Sequence, residues 1–262
     1  MRKVNEKMVS KMIVLKKKGL HIYEISKRFN INDRTVNKYT KNFPHPNQIA
    51  VIKEIPDEAK KFSKEKSEIL GYLCSEGCEN IRTYTCNAYD NRRGKSYLVK
   101  KNAPKILFSN TEKILQKRFT FLMKEVYNYK LKPDKKGNFY IARAKVRKDL
   151  NNYGNFGSKI WSIPKKLFEP KYKKQAIHFI RAFCDGDATI ERKQKEVRID
   201  STNHNALIEL SKLINYIGIP NKCYKFTDRS RIIIKDIKNY LNLISFIHPK
   251  KSNDLKNLIY RL

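Results

Sequence analysis

The chain has 262 residues, 40% of them hydrophobic, so it can bury a core and is not globally disordered. No apolar run approaches the ~20 residues that a membrane span needs, and the first residues lack the apolar stretch of a secretory signal. We therefore expect neither membrane association nor secretion. The five cysteines form no CxxC pair, which predicts reduced thiols and argues against disulfides and a zinc site.

Positive charge dominates the composition: 58 Lys and Arg stand against 25 Asp and Glu, a formal net charge of +33. Such an excess repels itself unless a polyanion is near, and nucleic acid is the usual partner because each neutralised phosphate releases a counterion. The alternative is a compositional bias, since AT-rich genomes favour Lys, Asn, Ile and Tyr. We expect a nucleic-acid-binding protein of the prokaryotic or organellar cytoplasm, associated with the nucleoid.

The first 45 residues predict three short helices. Gly19 suits the end of the first helix, and Asn30 suits a left-handed turn between the second and third. Asn32 or Asp33 can cap the third helix. The predicted helices cover 6–18, 22–29 and 34–42.

Residues 19–41, "GLHIYEISKRFNINDRTVNKYTK", resemble the helix-turn-helix of resolvases and transposases. The resemblance implies that the third helix lies in the major groove of DNA. The alternative is a three-helix packing module with a solvated basic face. The candidate DNA-binding residues on this helix are Arg34, Thr35, Asn37, Lys38 and Lys41. Prolines 44, 46 and 56 then predict a linker over 46–61, after a first domain over 1–45.

The rest of the chain contains an internal repeat. Residues 69–77, "ILGYLCSEG", and 180–188, "IRAFCDGDA", are apolar helical segments with small residues four apart, and each ends in an acid. Downstream, 106–115 parallels 198–207, and 139–150 parallels 231–241. A helix–strands–helix–strands–helix unit is therefore predicted twice, over 62–160 and 161–262.

The two segments resemble the paired motifs of the LAGLIDADG (DOD-type) homing endonucleases. "FIRAFCDGDA" matches closely, whereas "ILGYLCSEG" has Cys74 where the family often has an acid. The tail over 244–259 also resembles the end of such domains. The resemblance implies an α+β fold, in which two αββαββα repeats pack as a pseudo-dimer and their sheets form a saddle over double-stranded DNA. The small all-α helix-turn-helix domain precedes them.

The small residues explain how a site could form. Small side chains at i and i+4 let two helix backbones approach closely, and the candidate interface residues are Gly71, Ser75, Ala182 and Gly186. Close approach brings together the acids that end the motifs, Glu76 and Asp187. Two carboxylates beside phosphates suit Mg²⁺ or another divalent cation, which can support phosphodiester hydrolysis.

The alternative is that these acids merely end helices. An acid at a helix C-terminus opposes the macrodipole, so two such acids at matching repeat positions favour a functional role. Asp185 is not expected to be a ligand, because its counterpart is Cys74.

Further site residues follow from the resemblance, which implies lysines near the metal, although a solvated face is the alternative reading. The candidates are Lys100, Lys145 and Lys235. Strands are predicted over 82–108, 137–146, 189–201 and 221–235, and Trp161 is predicted to be a packing residue. The candidate groove contacts on these strands are Arg82, Tyr84, Arg92, Arg93, Arg143, Arg192, Lys193, Arg198, Lys225 and Arg231.

The leading hypothesis is a monomeric, site-specific endonuclease that makes a staggered double-strand break in DNA with a divalent metal. The chain begins with Met1 and lacks a C-terminal His-Asn pair, so we expect a free-standing enzyme of an intron or mobile element, not an intein. A non-cleaving DNA-binding regulator and an RNA-binding intron maturase remain alternatives on the same fold.

Overall fold

The structure is a computed structural model that describes residues 4–43, 54–90 and 95–260; it describes the backbone of Arg82 and Tyr84 but not their side chains. Arg92 and Arg93, two of the candidate groove contacts, lie outside the described residues. The chain divides into two compact units, Met1–Glu54 with Arg143–Lys145, and Ile55–Ala142 with Val146–Leu262. Apart from Arg143–Lys145, the residues of both predicted repeats lie in the second unit, and the predicted domain boundaries stay predictions.

Residues 4–43 of the N-terminal unit form three helices with a small core of their own. Met12, Ile25 and Val36 come from one helix each and are fully buried. Asn30 adopts the left-handed conformation (φ 53°, ψ 50°), and Asn32 caps the third helix by accepting from the Arg34 amide. The helices are α1 (Glu6–Lys17), α2 (Ile22–Phe29) and α3 (Asp33–Thr40). A three-residue turn thus separates α2 from α3, the spacing of helix-turn-helix motifs.

A buried lysine fixes the end of α3. Lys16 Nζ donates to the Thr40 carbonyl (2.8 Å) and to the Thr40 hydroxyl (3.3 Å). Burial lowers the pKa of Lys16. The last turn of α3 is therefore tied to α1, which orients the exposed side of α3.

The first half of the larger unit pairs helices with a three-stranded antiparallel sheet in the order β1-β2-β3. Its two long strands pair from Gly77 opposite Phe108 to Asp90 opposite Lys95. The elements are α4 (Asp57–Lys60), α5 (Lys64–Glu76), β1 (Gly77–Asp90), β2 (Lys95–Phe108), α6 (Lys113–Tyr127), β3 (Phe139–Ile141) and α7 (Ala144–Asn151).

The second half repeats this plan with a four-stranded antiparallel sheet in the order β4-β5-β7-β6. Two 3₁₀ turns, Lys165–Phe168 and Pro170–Tyr172, lead into it. One continuous apolar core joins both halves. The predicted α+β fold of two repeats is therefore confirmed. The elements are α8 (Lys173–Asp187), β4 (Ala188–Glu191), β5 (Glu196–Ser201), α9 (His204–Tyr216), β6 (Lys222–Lys225), β7 (Ser230–Ile234), α10 (Ile237–Leu243) and α11 (Pro249–Tyr260).

The strand predicted over 137–146 is wrong beyond Ile141. The backbone turns into α7 at Ala144, and Val146 and Leu150, four residues apart, are buried as on one face of a helix. Lys145 therefore lies on a helix. Over the described ranges, the first half lacks the fourth strand of the predicted αββαββα unit and retains an isolated bridge between Pro133 and Phe139.

Across residues 4–43, 54–90 and 95–260, no helix is long and apolar enough to cross a membrane.

A buried ion pair joins α5 to α6 at the end of α5 away from the strands. Glu68, which is 1% exposed, accepts from Arg118 Nε (2.6 Å) and Nη2 (2.7 Å), and His178 Nδ1 lies 3.8 Å from it. Burial raises the pKa of Glu68, but the hydrogen bonds from Arg118 and the proximity of His178 outweigh burial and leave that pKa below its ordinary value.

We expect Glu68→Gln to lower the free energy of unfolding by about 3 kcal/mol at neutral pH, because it leaves Arg118 without its buried counter-charge. A lowered folded-state pKa stabilises the fold above the ordinary pKa of 4.5, and this stabilisation is lost as pH falls through the folded-state pKa. The difference from wild type should therefore shrink in acid, as measured by urea unfolding at several pH values. Arg192→Gln, which breaks an exposed bridge to Asp254, is the control and should cost less than ~1 kcal/mol.

Candidate active site

Helices α5 and α8 pack with almost no side chain between them. A Cβ atom built on Gly71 would lie 2.3 Å from the backbone oxygen of Phe179 and 2.9 Å from the Ala182 Cβ. A Cβ atom on Gly186 would lie 2.5 Å from the Ser75 Oγ. The four small residues singled out in the sequence thus meet at one interface, at separations that only glycine allows at two of the positions.

The ends of these helices bring two carboxylates together. The Glu76 Cγ lies 3.1 Å from the position of a Cβ on Gly186, the neighbour of Asp187, and both acids are half-buried. Burial and, next, the charge of Glu76 raise the pKa of Asp187 to about 7. Burial also raises the pKa of Glu76, although Asn110 Nδ2 donates to its Oε1 (2.9 Å). The pair therefore carries negative charge that the protein only partly compensates.

Lys251 on α11 is the cation that faces this pair. Its Nζ donates to the backbone oxygens of Cys184 (3.2 Å), Asp185 (2.7 Å) and Gly186 (3.2 Å), so it caps the end of α8. Its charge lowers the pKa of both Glu76 and Asp187. Lys251 is absent from the residues singled out in the sequence, because its role depends on contacts 65 or more residues away along the chain.

We expect Lys251→Met to lower the free energy of unfolding by about 2 kcal/mol, because three carbonyls at the end of α8 lose a charged donor. The Met side chain keeps the apolar stem, so the loss reports on the ammonium group. Thermal unfolding of the variant measures the effect. Lys250→Met, at the exposed neighbouring position, is the matched control and should leave the melting temperature nearly unchanged. Equal effects at both positions would contradict the capping role.

Asp185 and Cys74 each lie two positions before one of the two acids, and each contacts a turn much later in the chain. In α8, Asp185 is 1% exposed and accepts from the amides of Ile247 (2.9 Å) and His248 (3.1 Å). In α5, the Cys74 thiol lies 3.6 Å from the Ser162 oxygen, to which it donates. "IHPKK" (247–251) and "SIPKK" (162–166) are therefore equivalent turns. Both oxygens of Asp185 face these amides, which gives this acid a structural task.

A cleft of about 270 Å³ opens beside Asp187. Trp161, 2% exposed, forms part of its wall, packs against Phe183 (ring centroids 4.9 Å apart) and donates to Ser201 Oγ (3.3 Å). The predicted packing role of Trp161 agrees with these contacts. The cleft is lined by Cys74, Ser75, Ser158, Trp161, Asp187, Asp200, Ser201, Thr202 and Arg229.

The helix that carries Asp187 and the strands behind it match a known family profile, described as the LAGLIDADG-like domain, over residues 174–248. Residues 174–248 form a LAGLIDADG-like domain. The predicted resemblance to the LAGLIDADG family is thereby confirmed, whereas the helix-turn-helix of residues 19–41 stays a prediction.

The chain is similar to the DNA polymerase of Methanocaldococcus jannaschii, to which it is 26% identical over 208 residues; these cover 74% of this chain and 12% of that polymerase. Among solved structures, I-DmoI in complex with DNA and Mn covers 70% of this chain and 97% of its own, at 16% identity and a TM-score of 0.48. The match to full-length DUF199/WhiA from Thermatoga maritima covers 78% of this chain and 65% of that protein, at 14% identity and a TM-score of 0.44.

The three candidate lysines do not gather at the acid pair. Lys100 is eight residues along β2 from Phe108, which pairs with Gly77, so it lies roughly 26 Å along the strand from Glu76. Lys145 forms an ion pair with Glu54. Lys235 follows the end of β7 that pairs with Val197, away from the cleft, and lines another cavity of about 360 Å³. Nothing in these positions and contacts supports a catalytic role for the three lysines, and that role stays a prediction.

Three of the candidate arginines of the LAGLIDADG-like domain are held by acids. Arg192 pairs with Asp254 (2.6 Å), Arg198 with Glu196 (2.6 Å), and Arg231 with Asp200 (2.8 Å). The Arg231 contact is cross-strand and the Arg192 contact is long-range, so a single sequence does not reveal them, whereas Arg198 and Glu196 are two residues apart on β5. Lys193 and Lys225 are exposed, and so are Arg34, Asn37, Lys38 and Lys41 of the N-terminal unit, whereas Thr35 and Arg143 are half-buried.

The donor set at the helix ends suits a hard divalent cation. Mg²⁺ is commonly held by one or two carboxylates, with substrate phosphates and water completing its six ligands. Glu76 and Asp187 are two such carboxylates, and burial raises the pKa of both. Within the described part of the chain, no group of three or more His, Cys, Asp or Glu could enclose a metal by itself. The residues therefore fit a cation shared with a phosphate and do not fit a closed structural site.

Proposed function

We propose that this chain is an endonuclease that hydrolyses both strands of duplex DNA at a specific site, with Mg²⁺ or a similar divalent cation. The observation that supports this most directly is the pair of half-buried carboxylates at the ends of two closely packed helices, one from each repeat. One acid per half matches one cut per strand. The protein is proposed to act as a monomer at the nucleoid, since both acids come from one chain.

Each residue of the site has a task in this proposal. Glu76 and Asp187 hold the cation against a scissile phosphate. A divalent cation bound there supplies an activated water and stabilises the leaving oxygen of an in-line attack. Asn110 orients the Glu76 carboxylate through its 2.9 Å hydrogen bond, and Lys251 fixes the end of α8 on which Asp187 lies. The Gly71–Phe179 contact sets the separation of the two acids.

Binding of duplex DNA is supported by charge and by the N-terminal unit. The net charge of +33 favours a polyanion, and α3 presents Asn37 and Lys38 to solvent behind a turn of helix-turn-helix length. We infer that α3 enters a major groove and adds contacts outside the region bound by the two sheets.

The proposal is tested with a DNA duplex in which the two genomic sequences that flank the gene are joined directly, without the gene between them. Incubation with Mg²⁺ should give a staggered double-strand break at one position, and incubation with EDTA should give binding without a break. An unrelated duplex of equal length is the control. Cleavage that is unaffected by EDTA would contradict the metal-dependent mechanism.

Two other outcomes would indicate the alternative functions. Specific binding to the flanking duplex without a break, under every metal condition, would favour a DNA-binding regulator that uses the same sheets and α3. Preference for the folded intron RNA over the duplex would favour a maturase. Both outcomes would refute the nuclease proposal and leave the fold intact.

A further inference from the structure

Arg231 and Asp200 form a side-on ion pair on the open face of the second sheet. Arg231 Nε donates to Oδ1 (2.8 Å) and Nη2 donates to Oδ2 (3.2 Å) of Asp200, directly opposite on β5. Their strand neighbours Ile232 and Ile199 are fully buried, so the pair lies on the face turned away from the core. The Phe226 ring lies 5.7 Å from the guanidinium carbon. The guanidinium is thus held in one orientation from two sides.

This arrangement leaves one edge of the guanidinium open. A guanidinium has five N–H groups, and Asp200 uses one on Nε and one on Nη2. Within the described residues, Nη1 of Arg231 donates to no partner, so Nη1 and the second hydrogen of Nη2 point forward as a parallel pair. Two parallel donors match O6 and N7 of guanine, the commonest specific contact of arginine in the major groove.

Arg198 lies on the same face, two residues before Asp200 on β5, and each of its nitrogens donates to the protein. Its Nε donates to Glu196 (2.6 Å), its Nη1 to Glu191 (3.4 Å) and its Nη2 to Gln194. Two of its five N–H groups remain, one on each terminal nitrogen, whereas Arg231 keeps three, including both on Nη1. Contacts with the protein therefore hold both terminal nitrogens of Arg198 but only one of Arg231.

We propose that Arg231, oriented by Asp200, reads a guanine in the DNA half-site bound by the second sheet. The inference rests on the proposed binding of duplex DNA and does not require cleavage. Asp200 also lines the cleft beside Asp187, so this guanine lies near the cut phosphate. Asp200 acts as a positioning residue, because it holds the guanidinium and, as an acid, repels a phosphate that would otherwise bind there.

The test is selection of bound sequences from a pool of randomised duplexes, with the full chain carrying Glu76→Gln so that the DNA stays intact. The parent should enrich a motif with guanine at one fixed position. Arg231→Lys should lose the preference at that position alone, by roughly 5- to 100-fold, since an ammonium cannot form the bidentate pair. Asp200→Asn should weaken the same preference, and Arg198→Lys, the matched control, should leave the motif unchanged.

A second measurement isolates the contact from effects on folding. Replacing that guanine with 7-deazaguanine removes the N7 acceptor and should weaken binding by the parent but not by Arg231→Lys. A uniform loss of affinity for all sequences in Arg231→Lys, with a smaller salt dependence, would instead identify a phosphate contact and overturn the proposal. A motif that is bound but never cut by the unmodified chain would refute the nuclease alone. Failure to enrich any motif would refute both.

Discussion

Replacing Gly71 with alanine is expected to lower the free energy of unfolding by about 3 kcal/mol or more, the upper range for overpacking a core. The added methyl group would lie 2.3 Å from the backbone oxygen of Phe179, and backbone cannot rotate aside as a side chain can. The two halves would have to separate, which also moves Glu76 away from Asp187. Thermal or urea unfolding of the full chain measures the loss.

The second glycine of the interface provides the matched comparison. A methyl group on Gly186 would meet the Ser75 side chain, at 2.5 Å from Oγ and 2.9 Å from Cβ. The stability lost in Gly186→Ala should therefore be partly restored by a second substitution, Ser75→Gly. Ala182→Gly should restore little of the stability lost in Gly71→Ala, because the contact with the Phe179 backbone oxygen persists. A Gly71→Ala protein as stable as wild type would show that the helices are farther apart than described.

Neutralising either acid of the pair is expected to abolish the double-strand break. Glu76→Gln and Asp187→Asn each remove one anionic ligand of the proposed cation, and cleavage should fall by about a hundred- to a thousandfold, which corresponds to several kcal/mol of transition-state stabilisation. Affinity for the uncut duplex should change little. Glu79→Gln, an exposed acid three residues beyond Glu76, is the control and should cut normally. Full activity in both acid variants would end the proposed mechanism.

The same variants should be more stable than wild type in the absence of divalent cation. Burial and the charge of Glu76 raise the pKa of Asp187 to about 7 from an ordinary value of 3.8. A carboxyl with a raised folded-state pKa favours the fold below its ordinary pKa, and that contribution is lost as pH rises through the folded-state pKa. The gain in melting temperature of Asp187→Asn should therefore grow between about pH 4 and 7 and then level off. Saturating Mg²⁺ should reduce the gain.

The sequence was sufficient to predict the features that depend on local chemistry. The helix ends at Lys17 and Phe29 lie within one residue of the predicted positions, and Asn30 adopts the predicted left-handed turn. The spacing of small residues was sufficient to pair α5 with α8, because it reports directly on how closely two backbones can approach.

Features that depend on tertiary contacts could not be predicted from the sequence. Lys251 reaches α8 from a separate helix, and the partner of Arg231 depends on strand register. Lys145 was misplaced because "FYIARAKV" alternates like a strand, although Val146 and Leu150 already have helical spacing. Because the chain contains many lysines, composition alone could not identify Lys251 as a lysine beside the acid pair.

The contact between Gly71 and the Phe179 carbonyl has a consequence for making hybrids of this protein. Each half contributes one helix to an interface in which the gap between the two helices is smaller than a methyl group. A half taken from another chain would therefore fit only if its own helix carried matching small residues. The open faces of the sheets have no such restriction. New target preferences should therefore be easier to obtain by exchanging strand residues within this chain than by shuffling whole halves between chains.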